Sequence, residues 1–331
     1  MGRLIDGQWS TQWDDTKLTN GKFVRQDAGY RNWITEDGSA GPTGSSGFKA
    51  KTGRYHLYVS LACPWAHRTL IFRELKGLSD HITVDVVHPD MLEKGWSFKK
   101  DDGPAQGDRL FDFTHAFEIY QKADPNATTR VTVPILWDKY TNRVVSNESS
   151  EIIRMFNSAF NALTHNTQDF WPINTRTDIE KINHRIYHTF NNGVYKAGFA
   201  TSQHAYLKAV TELFDTMDWL ENRLSTRRYL MGDALTEADW RLFTTLVRFD
   251  LVYHLHFKCN RSRLIDMPNL WAYTRELYQM NGIAKTCDFN HIVRHYHFSH
   301  ETINPHQIVP INPAINWMEP HLRGSQNSQL S

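Results

Sequence analysis

The chain predicts an α/β N-terminal domain followed by an all-α domain. Three observations carry that prediction. A strand, helix and strand alternate from Arg54 to His88; a lone Cys-Pro pair sits at the first strand-to-helix joint; and after Trp171-Pro172 strand patterns give way to long helical stripes.

The joint itself is the most informative stretch. His56 to Leu61 is β-branched and aromatic enough for a strand buried on both faces, and Ala66 to Leu78 places Leu70, Ile71, Leu75 and Leu78 at helical spacing. Cys63 therefore falls at the helix start, with Pro64 in the first turn, where its missing N–H costs nothing. The open N–H groups and the helix dipole favour a thiolate there, and such placement draws a thiol from about 8.5 toward neutrality, so Cys63 reads as a nucleophile. A buried, inert cysteine closing a strand is the alternative. No second cysteine completes a Cys-x-x-Cys motif after Cys63, so a resolving thiol must come from outside.

At 331 residues the chain has room for two domains, and 40% hydrophobic with 22% charged residues is a globular composition. With Lys and Arg at 37, Asp and Glu at 36, and no basic run, the balance speaks against a dedicated nucleic-acid binder. No stretch reaches the roughly 18 apolar residues of a membrane span. The polar start is no signal peptide, and Asp6 spoils a myristoylation signal at Gly2. Cys63, Cys259 and Cys287 make neither a disulfide framework nor a zinc spacing, which places the protein in a reducing, cytoplasmic setting.

In order, residues 1–50 read as an irregular Gly- and Ser-rich leader whose tryptophans dock on the body. Strands are expected over 56–62 and 82–88 around a helix over 65–78, a βαβ unit with parallel strands and a right-handed crossover. Residues 89–129 form a long inserted loop, with a short helix around Phe113 to Gln121 and Trp96 as either a binding wall or a loop anchor. Arg130 to Trp137 is a strand broken by Pro134; a cis Val133–Pro134 bond would turn the Val133 backbone toward a bound extended peptide, and a trans proline at a strand start is the plainer version. After a short strand at 142–146, Asn147-Glu148-Ser149 opens a helix. Its N–H groups and the Ser149 hydroxyl can hold a carboxylate and Glu148 an ammonium, together matching an amino-acid zwitterion; an ordinary capping box is the alternative.

In the helical part, Ile182, Ile186, Phe190 and Val194 form one stripe, and Tyr206, Val210, Leu213, Met217, Leu220 and Leu224 another. Thr236 and Asp239 mark the start of a central helix and are structural. Further helices are expected at 268–280 and near 288–296, before a Pro- and Gly-punctuated tail. The domain limits are thus 1–50, 51–165, 172–300 and 301–331.

Cys-Pro at the first helix, Val-Pro before a later strand and Glu-Ser at the third helix resemble the thioredoxin-like half of a glutathione transferase, and the helical remainder fits its second domain. More narrowly, Cys63-Pro64-Trp65-Ala66-His67-Arg68, Asn147-Glu148-Ser149, the run from Asn192 to Ala200 and the Phe48 to Tyr58 region resemble the glutathionyl-hydroquinone reductases, the xi class. The resemblance implies Cys63 as the catalytic thiol, with glutathione along Trp96, Arg130, Val133, Glu148 and Ser149. It implies Tyr195, Tyr253 and Tyr296 around an aromatic pocket, with core packing as the alternative for Tyr253 in particular. It also implies glutathione as co-substrate, neither metal nor nucleotide, glutathionyl-hydroquinones as substrates, and a homodimer through the helical domain. Three rivals stand beside it: an omega-like thiol transferase or dehydroascorbate reductase, a noncatalytic interaction module, and a metal site from His254, His256 and Cys259 or from His291, His295, His297 and His300.

Overall fold

The computed structural model describes residues 2–12 and 16–324. The chain divides into two compact units, neither continuous in sequence. One comprises Met1–Trp13, Gln26–Asp169 and Thr286–Val309, the other Asp14–Arg25, Phe170–Lys285 and Pro310–Ser331.

In the first unit, β3 (Tyr55–Val59) leads through α1 (Pro64–Leu75) to β4 (Ile82–Val86), and β3 and β4 run parallel with Tyr55 opposite Ile82. β6 (Ile135–Asp138) and β7 (Arg143–Ser146) complete a four-stranded sheet in the order β4-β3-β6-β7, with both of its other pairings antiparallel. All of β3 and β6 is buried, as an inner strand with both faces covered requires. α3 (Ser149–Ser158) follows β7, and α2 (Ala116–Ala123) arises inside the 89–129 segment. This is the thioredoxin-like arrangement. Arg54 grips Asp138 through two bonds of 2.9 and 2.6 Å. Burial works against the Asp85 charge, yet His56 and Arg109 hold its carboxyl below the usual range.

Two expectations for the first 50 residues need correction. They are not wholly irregular: β1 (Arg3–Ile5) and β2 (Gln8–Ser10) make a hairpin, and β1 also pairs with β5 (Thr129–Arg130). The turn is Asp6-Gly7, both at positive φ, the dipeptide that a two-residue hairpin turn favours. A Cβ at Gly7 would stand 1.8 Å from the Pro125 carbonyl oxygen, so the close approach also demands glycine. Nor does the leader belong to one body, since residues 16–25 join the helical unit. There the Thr201 N–H donates to the Gly21 carbonyl at 3.0 Å and Arg25 Nε to Asn192 Oδ1 at 2.8 Å. Of the leader's tryptophans, Trp9 stacks on Phe117 at 5.1 Å and Trp33 donates to Thr43, whereas Trp13 lies outside the described residues.

The second unit is helical: α5 (Arg176–Ile186), α6 (Gly193–Gly198), α7 (Gln203–Leu224), α8 (Glu237–Arg248) and α9 (Pro268–Gln279), after a short α4 (Asn161–Thr164) that ends the first unit's run. π-helical turns at Tyr187–Asn191 and Phe249–Tyr253 interrupt the α5–α6 path and extend α8. Such turns are rare and occur as single-turn bulges inside α-helices. In α7 the buried stripe is led by Ala205 and Ala209, one position off the expected Tyr206 and Val210.

The C-terminal stretch also departs from the expected limits. α10 (Phe289–Ser299) belongs to the first unit, because its side chains hold the 89–101 segment. Residues 310–324 join the helical unit, with Trp317 packed on Trp271 at 5.2 Å and Arg323 Nε on Glu276 at 2.8 Å.

Candidate functional site around Cys63

Cys63 is placed by the turn that joins β3 to α1. Ser60 makes that turn: its Oγ accepts from the Ala62 N–H at 3.2 Å and its carbonyl from the Cys63 N–H at 3.2 Å. Proline restricts the residue before it to extended backbone, which is what a helix N-cap requires, and Cys63 is extended with φ −78° and ψ 120°. Its side chain makes no cap hydrogen bond within α1. The half-buried sulfur instead lies 3.6 Å from the Val133 carbonyl oxygen, a sulfur-donor contact.

Val133 precedes a cis Val133–Pro134 peptide, and the expected strand is divided there, β5 ending at Arg130 and β6 beginning at Ile135. The segment between them is fixed from behind. The Tyr120 hydroxyl donates to the Thr132 carbonyl at 2.8 Å, and Asn147 Nδ2 donates to the Tyr120 oxygen at 3.2 Å. Asn147 also exchanges bonds with the Tyr30 backbone, so one buried amide ties leader, α2 and β7 to the proline segment. Burial raises the Tyr120 phenol to about 12, which keeps it a neutral donor.

At the α3 start, Glu148 is the N-cap, and its Oε1 accepts from the Ser150 N–H at 2.9 Å and from the Ser150 hydroxyl at 2.7 Å. Glu148 thus caps its own helix through its side chain, which is a simpler arrangement than the reciprocal capping box. Ser149 is buried, with Arg68 Nη1 3.5 Å from its oxygen. Arg68 is one of the largest fully buried side chains; its guanidinium lies 4.6 Å from the Trp65 ring, so a charge from α1 sits at the α3 start. Spacing alone assigned Arg68 no role, although it closes the quoted Cys-Pro run. His67, also buried, pairs with Thr286 Oγ1 at 2.7 Å, and the Cys287 sulfur is 3.7 Å from the same nitrogen.

The first unit thus brings Cys63 and Val133 into contact and sets Glu148 and Ser149 together at one helix start; Arg130 lies in β5, opposite Arg3 of β1. Trp96 is buried and stacks on His295 at 4.6 Å, and Tyr296 packs on His295 and His300. Tyr195 and Tyr253 belong to the second unit, their rings 6.1 Å apart and both against Phe257. Tyr253 lies within one π-helical turn, and Tyr195 follows the other by four residues. Three of the histidines proposed for a metal have other partners: His291 bonds Asp101, His295 the Pro89 carbonyl and His297 the Val293 carbonyl. Among the described residues no group of three or more His, Cys, Asp or Glu is placed to hold a metal ion. Burial pushes the Cys259 thiol up, the setting of an inert core cysteine.

A cysteine opening the first helix of a thioredoxin-like sheet, joined to a helical second unit, defines a glutathione transferase of the cysteine-using kind. Comparison with known proteins agrees: residues 62–159 match the glutathione S-transferase N-terminal domain and residues 199–276 its C-terminal domain. Glutathionyl-hydroquinone reductase YqjG of Escherichia coli is 55% identical over 98% of both chains, and its glutathione-bound structure superposes with TM-score 0.90 over 98% of this chain and 99% of that one. Glutathionyl-hydroquinone reductase PcpF of Sphingobium chlorophenolicum is 48% identical over 95% of this chain and 97% of its own. A xi-class transferase from Natrialba magadii is 44% identical, with TM-score 0.89 over 98% of this chain and 97% of that one. The chain belongs to the glutathionyl-hydroquinone reductases, the xi class of the glutathione transferase family.

Proposed function

We propose that Cys63 performs glutathione-dependent reductive deglutathionylation of glutathionyl-hydroquinones. The observation that carries this reading is near-full-length identity to two reductases of that activity, combined with a lone cysteine opening α1 opposite the Val133 carbonyl. The Cys63 thiolate attacks the sulfur that joins glutathione to the ring. The ring carbon keeps the electron pair of the broken C–S bond and takes a proton, releasing the hydroquinone and leaving a Cys63–glutathione mixed disulfide. A second glutathione thiolate then attacks the glutathione sulfur of that disulfide, giving oxidised glutathione and the Cys63 thiolate. Ala66, where a Cys-x-x-Cys motif carries its second thiol, supports an external resolving thiol.

Trp96, Arg130, the Val133 backbone, Glu148 and Ser149 are the proposed glutathione contacts. Support comes from the fixed proline segment, the buried Arg68 beside Ser149, and the N–H groups at the α3 start. Tyr195, Tyr253 and Tyr296 are the proposed ring-pocket residues, since a phenol both stacks on a ring and donates to a quinol oxygen. Glutathione serves as co-substrate. A homodimer through the helical unit and a cytoplasmic setting complete the proposal. Among the described residues no helix is long and apolar enough to cross a membrane.

Mass spectrometry of the protein mixed with a glutathionyl-hydroquinone tests the reading. The expected result is one glutathione on Cys63 and an equivalent of free hydroquinone. Turnover of dehydroascorbate with none of glutathionyl-hydroquinones would replace it with the omega-like activity, and absence of glutathione binding would replace it with a noncatalytic role.

A further inference from the structure

We propose that His295 is a positioning residue for the glutathione site, holding Trp96 and the segment before it against the helix that carries Tyr296. The proposal rests on Trp96 being a wall of that site. The His295 imidazole lies nearly parallel to the Trp96 indole, centroids 4.6 Å apart and planes at 25°. Its Nδ1 is 2.8 Å from the Pro89 carbonyl oxygen, and because a carbonyl only accepts, the proton sits on Nδ1. One ring therefore fixes the 89–96 segment at both ends, by a hydrogen bond at Pro89 and by stacking at Trp96.

Neighbours on α10 reinforce this grip. Arg294 binds both carboxylate oxygens of Asp90 at 2.6 and 2.7 Å, and Ser299 Oγ accepts from the Met91 N–H at 2.9 Å. Three successive residues, 89 to 91, are thus tied to one helix. His295 also meets Tyr296 edge-on at 5.4 Å, and His300 packs on both rings. A shift of the His295 ring would be felt through the stack at Trp96, a proposed glutathione contact. His295 acts through these residues and touches no reacting atom.

The test measures glutathione dissociation constants together with kcat and KM. His295→Phe keeps a stacked ring and loses the donor, whereas His295→Asn keeps a donor near the Nδ1 position and loses the stack. Each is expected to weaken glutathione binding about threefold and His295→Ala about tenfold, with kcat at saturation within about twofold of the parent. In His295→Ala/Trp96→Ala the loss should not exceed that of Trp96→Ala alone, because the first change acts through the second residue. Losses that add, or binding unaltered in the His295 variants while Trp96→Ala weakens it, would overturn the proposal and leave the glutathione site standing. Unaltered binding in Trp96→Ala would instead remove the wall assignment, and this proposal with it. Should His295→Ala fail to fold, the Phe and Asn variants carry the test.

Discussion

Two helix starts in this molecule use similar local chemistry to opposite ends. α8 begins at Thr236, whose N–H and hydroxyl both donate to Asp239 at 2.8 and 3.0 Å, while the Leu230 N–H and the Tyr273 hydroxyl donate to the other oxygen at 2.9 and 2.8 Å. Everything there is buried and engaged within the protein, and burial still raises the Asp239 carboxyl above its ordinary value. α1 begins at Cys63, which is half-buried, makes no side-chain cap, and has proline where a first-turn donor would stand. A helix start closed by its own carboxylate stabilises the fold; one left uncapped by its own side chain offers its dipole to a sulfur anion. The pairing of roles with helix ends is therefore set by which side chain follows the cap.

The largest contrast should come from Cys63→Ala. Reductase turnover is expected to fall by more than about a thousandfold with the thermal midpoint nearly unmoved, since a small residue fits a helix start. Retained activity in that variant would erase the distinction. Asp239→Ala should do the reverse. Orphaning the Leu230 and Thr236 N–H groups and the Tyr273 hydroxyl is expected to cost about 4 kcal/mol in denaturant unfolding, with kcat per folded molecule preserved.

A pH series sharpens the comparison at α10. Burial lowers His295 to about 4 from an ordinary 6.5, so the folded state resists a proton that the unfolded chain accepts. Its contribution is intact above about pH 6.5 and is lost as pH falls toward 4, on the order of 3 kcal/mol in full. His295→Phe should flatten the stability profile in that window; an unchanged slope would show that other groups set it. The smallest effect belongs to Thr236→Ala, about 1 kcal/mol of stability and no change in KM for glutathione.

The elements with strong local rules were legible. Cys63-Pro64 announced its own helix start, the Thr236 to Asp239 capping box announced another, and the period change after Trp171 separated sheet from helices. The Asp6-Gly7 hairpin hides in a Gly- and Ser-rich leader, because its strands are only three residues each and pair partly with β5, more than a hundred positions away. In α7 the stripe from Leu213 to Leu224 was legible, whereas its start at Ala205 and Ala209 and the π-helical turns near Tyr195 and Tyr253 emerged only in three dimensions.

The sequence by itself determined where backbone is forbidden or favoured. Proline pushes Cys63 into the extended N-cap geometry, and a carboxylate three residues past Thr236 closes α8, whatever the rest of the chain does. Only the tertiary structure decided which distant groups meet. The Val133 carbonyl reaches Cys63 across 70 positions and the Pro89 carbonyl reaches His295 across 206. Short-range patterns fix torsions and periodicity, whereas contacts of that separation depend on the whole path of the chain and on the burial that holds it.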